Sequence, residues 1–185
     1  MTAVVYIHGR GGDAAECGHY RALFPDCEVI GLDYHAQTPW EAEDEFHQAV
    51  RELKLRYDSI ILVANSIGAY YAMVAHLEGL VRIAFFISPV VDLEKLNGVE
   101  LSDGYLRFVR NHPVQWDVPT HILYGSEDKL VPFEAVCDFA KAHNATLTVM
   151  DGGGHWFHTD AQMRFLDNWI CAKRIRQLAD FWFDS

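Results

Sequence analysis

Residues 60–73 read Ile-Ile-Leu-Val-Ala-Asn-Ser-Ile-Gly-Ala-Tyr-Tyr-Ala-Met, and this stretch decides the fold. A β-branched apolar run, too short for a helix, leads directly into Ala-Asn-Ser-Ile-Gly at 64–68, and a helical pattern follows at once. A strand that turns into a helix so abruptly needs small neighbours, because the two backbones pass close together. Such a turn holds its central residue in a strained conformation that proteins usually reserve for function. We therefore predict that Ser66 is a nucleophile.

The bulk properties indicate one domain over residues 1–185, long enough to bury a core. No window approaches the ~18 uninterrupted apolar residues that a membrane span requires. The first residues, Met-Thr-Ala-Val-Val-Tyr, lack the basic region and cleavage site of a signal peptide and are typical of a strand. We expect a cytoplasmic protein that does not bind a membrane.

Charge and cysteine spacing exclude several functions. The net charge is −11, from 15 basic and 26 acidic residues, which argues against nucleic acid and anionic membrane surfaces as partners. The four cysteines are scattered, and no two of them have the C-x-x-C spacing of a zinc or redox site. We expect reduced thiols and neither a metal nor a cofactor.

Short strands alternate with helices along most of the chain. This alternation predicts a parallel sheet covered by helices on both faces. The predicted strands are 2–7, 28–34, 59–63, 82–87, 121–124 and 146–150, and the helices between them are 14–24, 40–57, 66–77 and 132–143.

Two segments depart from the alternation. Residues 91–118 contain no clear strand, and a segment of this length in a compact domain is usually a lid or a binding segment, so we predict a small helical cap. Residues 161–185 have a helical pattern that ends in Phe181-Trp182-Phe183. We expect those aromatic side chains to pack on the body of the protein or on a second copy, which leaves a homodimer open.

Functional groups of such a sheet gather beyond the C-terminal ends of the strands. The predicted strand ends carry a nucleophile, an acid and a base in the order Ser, Asp, His. They are followed by His-Gly-Arg-Gly-Gly at 8–12, Asn-Ser-Ile at 65–67, Ser88, Asp128 and His155.

In this order of residues the chain resembles the α/β-hydrolases, from Val4 to about Ile170. Ser66 matches the nucleophile elbow, although Ala64 replaces the usual first glycine. Asp128, in Tyr-Gly-Ser-Glu-Asp-Lys-Leu-Val-Pro at 124–132, matches the acid, and His155 follows three glycines, as the family's histidine does. The chain begins at the family's third strand and is similar to compact serine hydrolases and small bacterial esterases. The resemblance implies three layers with about six mostly parallel strands in the order 2-1-3-4-5-6.

The resemblance also implies a role for each residue. His155 takes the proton of the Ser66 hydroxyl, which is a poor nucleophile without a base. Asp128 holds the imidazole in the correct tautomer and stabilises the imidazolium. The 8–12 loop resembles the family's oxyanion loop, so the backbone N–H groups of Ile67 and Arg10 are expected to form the oxyanion hole.

Other interpretations stay open for each of the three residues. Ser66 could be an ordinary helix N-cap. Asp92 is a rival acid, because some relatives place the acid after the preceding strand. His158 is a rival base, and His155-x-x-His158-x-Asp160 could be read as metal ligands.

The expected substrate is a small carboxylic ester. The cap of about 28 residues is short, which predicts a shallow or narrow pocket. A thioesterase or a serine peptidase or amidase would use the same three residues, and a non-catalytic binding protein on the same fold is a further alternative. The candidate pocket residues are Arg10, Trp40, Tyr105, Phe108, Trp116 and Trp156, of which Arg10 could meet an acidic group.

Overall fold

The computed structural model describes the backbone of residues 1–183 and the side chains of residues 1–175. Asp184 and Ser185, at the end of the predicted tail helix, lie outside the described residues, as do the side chains of the aromatic triplet at 181–183. The expected packing of that triplet and the homodimer therefore stay predictions.

Six strands form one sheet in which every neighbouring pair is parallel. The order across the sheet is β2-β1-β3-β4-β5-β6, so the predicted fold class and strand order are confirmed. The strands are β1 (Thr2–Ile7), β2 (Glu28–Gly31), β3 (Ser59–Asn65), β4 (Ile83–Ile87), β5 (Thr120–Gly125) and β6 (Thr146–Met150).

Helices cover both faces of this sheet, because the central strands are apolar on both sides. In β3, Leu62 belongs to the core under the helices Pro39–Lys54 and Ile67–Val74, whereas Ile61 belongs to the core under the helix Asp160–Phe183. Successive side chains of a strand point to opposite faces, so a continuous apolar run requires a cover on each. The helices are α1 (Pro39–Lys54), α2 (Ile67–Val74), α3 (Asp103–Asn111), α4 (Phe133–Ala142) and α5 (Asp160–Phe183), with 3₁₀ helices at Ala14–Ala22 and Leu93–Lys95.

Local sequence explains where α1 begins. The Thr38 hydroxyl accepts the Glu41 N–H, the Glu41 carboxylate accepts the Thr38 N–H, and Pro39 occupies the first turn. This capping box satisfies N–H groups that have no partner inside the helix. Phe46 and Val50, four residues apart, are fully buried on the inner face.

Two predicted elements differ from the observed ones. The 14–24 segment is a 3₁₀ helix over Ala14–Ala22, with its buried side chains Cys17 and Tyr20 three residues apart, which is one turn of a 3₁₀ helix. The prediction that β2 extends to residue 34 was wrong. The chain leaves the sheet after Gly31, because Tyr34 turns over the end of β1, stacks on the His8 ring and donates its hydroxyl to the His8 carbonyl.

Residues 91–118 contain the second 3₁₀ helix and α3, and no strand. Ser102 caps α3 by accepting the N–H of Tyr105. The segment rests on α1 through rings, since the Trp40 ring centroid lies 5.2 Å from that of Tyr105 and 5.6 Å from that of Phe108.

Within the described chain, no helix combines the length and the apolar character needed to cross a bilayer.

Gly68 allows α2 to pack directly on β1, and this contact gives a test of the fold. A Cβ atom at Gly68 would lie 2.4 Å from the His8 carbonyl oxygen and 2.8 Å from Ile7 Cγ2. Because backbone cannot move aside as a flexible side chain can, we expect Gly68→Ala to lower the free energy of unfolding by about 2–3 kcal/mol. Urea denaturation at an unchanged slope measures this loss.

Gly104→Ala is the matched control. In α3 the nearest atom to the added Cβ is 3.8 Å away. Alanine in a helix is favoured over glycine by about 0.5–1 kcal/mol, so this variant should be slightly more stable than the wild type. Equal stability of the two variants would show that α2 does not pack on β1 as closely as described.

Candidate active site

Ser66 lies on a sharp turn between β3 and α2. Its backbone has φ 51° and ψ −121°, in the left-handed region that residues other than glycine rarely adopt. Hydrogen bonds hold it there: the Ser66 N–H donates to the Ile87 carbonyl at 3.0 Å, and the Ser66 carbonyl accepts the Val90 N–H at 3.0 Å. The structure therefore contains a strained serine between strand and helix.

The Ser66 side chain does not cap α2. It makes no capping hydrogen bond, and its Oγ lies 2.9 Å from Nε2 of His155. The ordinary N-cap interpretation therefore does not describe this serine.

His155 and Asp128 continue this contact into a chain of hydrogen bonds. Nδ1 of His155 lies 2.7 Å from Oδ2 of Asp128. An ionised carboxylate only accepts, so Nδ1 carries the proton, and Nε2 of the neutral ring is left to accept the Ser66 hydroxyl. The order Ser–His–Asp follows from these two contacts.

The Asp128 carboxylate is held rigidly. Its side chain has no exposed surface, and its second oxygen accepts the N–H groups of Leu130 at 2.8 Å and Val131 at 3.0 Å. The His155 side chain is only 6 % exposed. Low exposure strengthens the contact between the two, because little water screens it.

A tight crossing of two loops brings Asp128 and His155 together. The loop after β5 donates the Glu127 N–H to the Gly153 carbonyl, at 2.8 Å, in the loop after β6. A Cβ atom at Gly125 would lie 2.3 Å from that same carbonyl oxygen. Only glycine at position 125 permits this approach, which joins residues 27 positions apart.

The rival acid Asp92 makes other contacts. It caps the 3₁₀ helix Leu93–Lys95 by accepting the Glu94 N–H at 3.0 Å, and it lies 3.7 Å from the Lys95 ammonium. The contact to the His155 ring comes from Asp128 instead.

The rival base His158 likewise makes local contacts, with Nδ1 2.9 Å from the Trp156 carbonyl. Among the residues that the structure describes, no three His, Cys, Asp or Glu side chains form a group that could hold a metal ion. The spacing of His155, His158 and Asp160 thus does not correspond to a ligand cluster.

The 8–12 loop passes directly beside the nucleophile. A Cβ atom at Gly9 would lie 3.1 Å from Cβ of Ser66, and the Gly12 N–H closes a turn on the Gly9 carbonyl at 3.2 Å. Arg10 lies inside this turn. On the other side of Ser66, Ile67 is the first residue of α2, so its N–H has no partner within the helix.

Two cavities open next to Ser66, and both are also lined by residues 9–12. The first, about 350 Å³, is called here the histidine-side cavity and is lined by His155, Tyr6, Glu16, Tyr20, Trp156 and Phe157. The second, about 570 Å³, is called the cap-side cavity and is lined by Ile67, Val90, Leu93, Leu96, Leu101 and Tyr105.

Three of the six predicted pocket residues reach these cavities. Arg10 lines both, Tyr105 lines the cap-side cavity, and Trp156 lines the histidine-side cavity with 61 % of its surface exposed.

The other three predicted pocket residues, Trp40, Phe108 and Trp116, line neither cavity. Trp116 is buried in the core, where it packs on a ring of β4 and donates its Nε1–H to the Thr120 hydroxyl at 2.7 Å. Phe108 is buried and stacks on His112, and Trp40 packs against the rings of Tyr105 and Phe108. These contacts account for the positions of the three rings, and their role in binding a substrate stays a prediction.

Sequence reasoning missed the polar wall of the histidine-side cavity. The Tyr6 hydroxyl donates to the Glu16 carboxylate, and the Asn65 amide donates to the Tyr6 oxygen at 2.9 Å. Tyr6 pairs with Val63 in the sheet, and Asn65 lies two residues further along β3, so Tyr6 and Asn65 share a face. The pairing register of β1 with β3 could have indicated the contact between Tyr6 and Asn65.

Solved structures resemble this chain over nearly its whole length. Est1E from Butyrivibrio proteoclasticus superposes with a TM-score of 0.73 at 18 % identity, over 96 % of this chain and 88 % of that one. The chain has the α/β-hydrolase fold. A serine hydrolase without a lid from Xanthomonas campestris gives 0.71 at 17 % identity, over 95 % and 82 %. A hyperthermophilic esterase from Pyrobaculum calidifontis gives 0.68 at 18 % identity, over 94 % and 77 %.

No protein-family model matches the sequence, and no curated protein matches it.

The two histidines near the elbow of this α/β-hydrolase fold can be told apart by mutation. We expect His155→Ala to reduce hydrolysis of p-nitrophenyl butyrate by about 10⁴-fold or more, because His155 is the base that contacts the Ser66 hydroxyl among the described residues. His158→Ala should retain most of the rate, since its ring contacts only local backbone. Initial rates at equal concentrations of folded protein measure both, and equal losses would reopen the choice of base.

The two candidate acids allow a parallel comparison. Asp128→Asn leaves the shape of the site intact but favours the wrong tautomer of His155, so we expect kcat to fall by about 10⁴-fold. Asp92→Asn should keep kcat within about threefold, because Asp92 caps a short helix and does not contact the histidine. If kcat depends on Asp92 and not on Asp128, the hydrogen-bond chain described above is not the one used.

Proposed function

We propose that the protein is a serine hydrolase that cleaves small carboxylic esters through an acyl-enzyme intermediate. One observation carries the proposal: Ser66, held in a left-handed turn, shares an unbroken hydrogen-bond chain with His155 and the buried Asp128. A structural serine has no need of strained backbone, a base and an oriented acid together.

The first half of the reaction attaches the acyl group to Ser66. Nε2 of His155 accepts the hydroxyl proton as Oγ attacks the ester carbonyl carbon, which becomes tetrahedral with a negative oxygen. Asp128 stabilises the imidazolium that forms. The C–O bond to the alcohol then breaks, its electron pair stays on the alcohol oxygen, and that oxygen takes the proton from Nε2.

The negative oxygen of the tetrahedral intermediate requires donors at a fixed position. We assign the backbone N–H of Ile67, at the positive end of α2, and the backbone N–H of Arg10, in the loop beside Ser66. The loss of one such donor typically costs about 2.7–4 kcal/mol of transition-state stabilisation.

The second half repeats the steps with water. His155 takes a proton from a water molecule, whose oxygen attacks the acyl carbon of the acyl-Ser66 ester. When the C–Oγ bond breaks, Oγ recovers a proton from Nε2, and the carboxylic acid leaves. The enzyme returns to its starting state. The two half-reactions together consume the ester and one water molecule and need no cofactor.

The cavities and the comparisons support a small substrate. Cavities of about 350 and 570 Å³ lie in the lower half of the range of about 300–1,000 Å³ that is usual for ligand pockets. Residues 91–118 contribute Leu93, Leu96 and Leu101 to one of them, which supports their role as a small cap on the single domain. Structures of similar fold include proteins described as an esterase and as a serine hydrolase without a lid.

A fluorophosphonate probe tests the proposal directly, because it forms a covalent bond only with an activated serine. We expect labelling of the wild type and its loss in Ser66→Ala. Ser88→Ala is the matched control: Ser88 also follows a central strand, has φ 43° and is buried, but it is not part of the hydrogen-bond chain. It should be labelled like the wild type.

A folded wild type that resists the probe would contradict the proposal and would favour a binding protein on this fold. Where labelling succeeds, rates with p-nitrophenyl esters, acyl-CoAs and aminoacyl amides identify the bond. All three pass through a similar tetrahedral intermediate, and we expect the esters to give the highest kcat/KM.

A further inference from the structure

The 8–12 loop must hold a fixed position for the proposed reaction. Its Arg10 N–H is assigned to an oxygen that becomes negative only in the transition state, so the donor has to be in place beforehand. The loop is a tight turn, closed by the Gly12 N–H on the Gly9 carbonyl. Its Gly9 end rests against Ser66, where an added Cβ would lie 3.1 Å from the serine Cβ. One contact does not fix a turn, so the position of Arg10 also depends on what holds the Gly12 end.

The Gly12 end rests on the carboxylate of Glu16. A Cβ atom at Gly12 would lie 2.8 Å from Oε1 and 3.0 Å from Oε2, so the glycine backbone packs directly on these oxygens. Glu16 is an exposed residue of the 3₁₀ helix, but its carboxylate turns inward and accepts the hydroxyl of Tyr6, which is only 1 % exposed. The carboxylate is thus anchored on the core at the point where the loop touches it.

Tyr6 connects this carboxylate to the strand that carries the nucleophile. Its oxygen accepts Nδ2–H of Asn65 at 2.9 Å, and Asn65 directly precedes Ser66. Oδ1 of Asn65 is buried and makes no hydrogen bond to any described residue, so the amide is oriented from its Nδ2 end. Burial, more than the neighbouring Glu16, raises the pKa of Tyr6 well above its usual value. The hydroxyl therefore keeps its proton and stays the donor to the carboxylate.

These contacts form a closed ring around the turn. The loop touches Ser66 at one end and Glu16 at the other. Glu16 is bonded to Tyr6, and Tyr6 leads through Asn65 back to the nucleophile. A buried hydroxyl needs a partner for stability alone. A partner that also touches the far end of the loop links that hydroxyl to the position of Arg10.

We infer that Glu16 and Tyr6 are positioning residues of the proposed reaction: their hydrogen bond fixes the loop where the Arg10 N–H meets the negative oxygen. The inference rests on the proposed function, which assigns that N–H to the oxyanion hole. The role requires no contact with the substrate. Because the donor is displaced and not lost, the effect should be smaller than the fall in kcat of about 10²–10³-fold that follows removal of a whole donor.

Tyr6→Phe removes the hydroxyl and keeps the ring. We expect kcat for p-nitrophenyl butyrate to fall about tenfold and KM to stay within about twofold, because a misplaced donor affects the transition state alone. The affinity for a butyl trifluoromethyl ketone should fall by a similar factor, since its adduct with Ser66 carries the negative oxygen. The pH dependence of kcat/KM should keep its midpoint, because the contact between His155 and Asp128 is unaltered. A shifted midpoint, or a rise in KM at unchanged kcat, would overturn the inference.

Two variants of Glu16 separate position from charge. Glu16→Gln keeps an acceptor for the Tyr6 hydroxyl, so kcat should stay within about threefold of the wild type, whereas Glu16→Ala should lose about tenfold. Because Glu16 is exposed, neither change removes a side chain from the core. If Glu16→Gln loses as much as Glu16→Ala, the negative charge matters and the hydrogen bond does not, and the inference fails.

Tyr57→Phe is the matched control. Tyr57 is 3 % exposed, and its hydroxyl donates to the carboxylate of the exposed Glu28 at 2.5 Å. This pair lies at the opposite edge of the sheet, because Glu28 is the first residue of β2. Tyr57→Phe should lower the stability in urea, as Tyr6→Phe does, but leave kcat unchanged. Equal falls of kcat in the two variants would reflect general destabilisation and would refute the positioning role.

The wild type separates this inference from the proposed function. If it hydrolyses p-nitrophenyl butyrate and Tyr6→Phe has the same kcat, the serine hydrolase stands and the positioning role is refuted. If the wild type hydrolyses no ester and resists the fluorophosphonate probe, both are refuted.

Discussion

The backbone of Ser66 is tied to the next strand of the sheet, and the rest of the site depends on that constraint. Its N–H donates to the Ile87 carbonyl, and its carbonyl accepts the Val90 N–H. A left-handed serine is unfavourable on its own, so these bonds must be stronger than the local strain. They direct the hydroxyl away from α2 and toward His155. They also require α2 to start close to β1, which is possible because residue 68 is glycine.

The remaining members of the hydrogen-bond chain come from loops that the sheet brings to the same edge. Parallel strands place all their C-terminal ends together, so the residues after β3, β5 and β6 become neighbours although they are far apart in sequence. The crossing of the last two loops at Gly125 then sets the distance between Asp128 and His155. The 8–12 loop after β1 reaches the same edge. The proposed chemistry therefore depends on loop contacts at one end of a rigid sheet.

Sequence patterns located the three residues of this hydrogen-bond chain, whereas three of the six residues expected at the pocket line neither cavity beside Ser66. Ser66, Asp128 and His155 follow predicted strands, and strand ends can be read from periodicity. Trp116 and Phe108 are aromatic residues of the predicted cap, but composition cannot distinguish a ring that packs inward from one that faces a ligand. Glu16 was not predicted as part of the site, because the sequence around an isolated carboxylate does not indicate which tyrosine it will contact. In the structure it accepts the hydroxyl of Tyr6.

The resemblance to the α/β-hydrolases implied the strand order of the sheet. The sequence by itself determined the parallel sheet and the position of a strained serine between strand and helix. These follow from local periodicity and small residues, which act over a few positions in the chain. Only the tertiary structure decided that Asp128, and not Asp92, contacts His155, and that Ser66 lies between two separate cavities. Both depend on contacts between residues far apart in sequence, whose distances are set by loop crossings and strand register rather than by local preference.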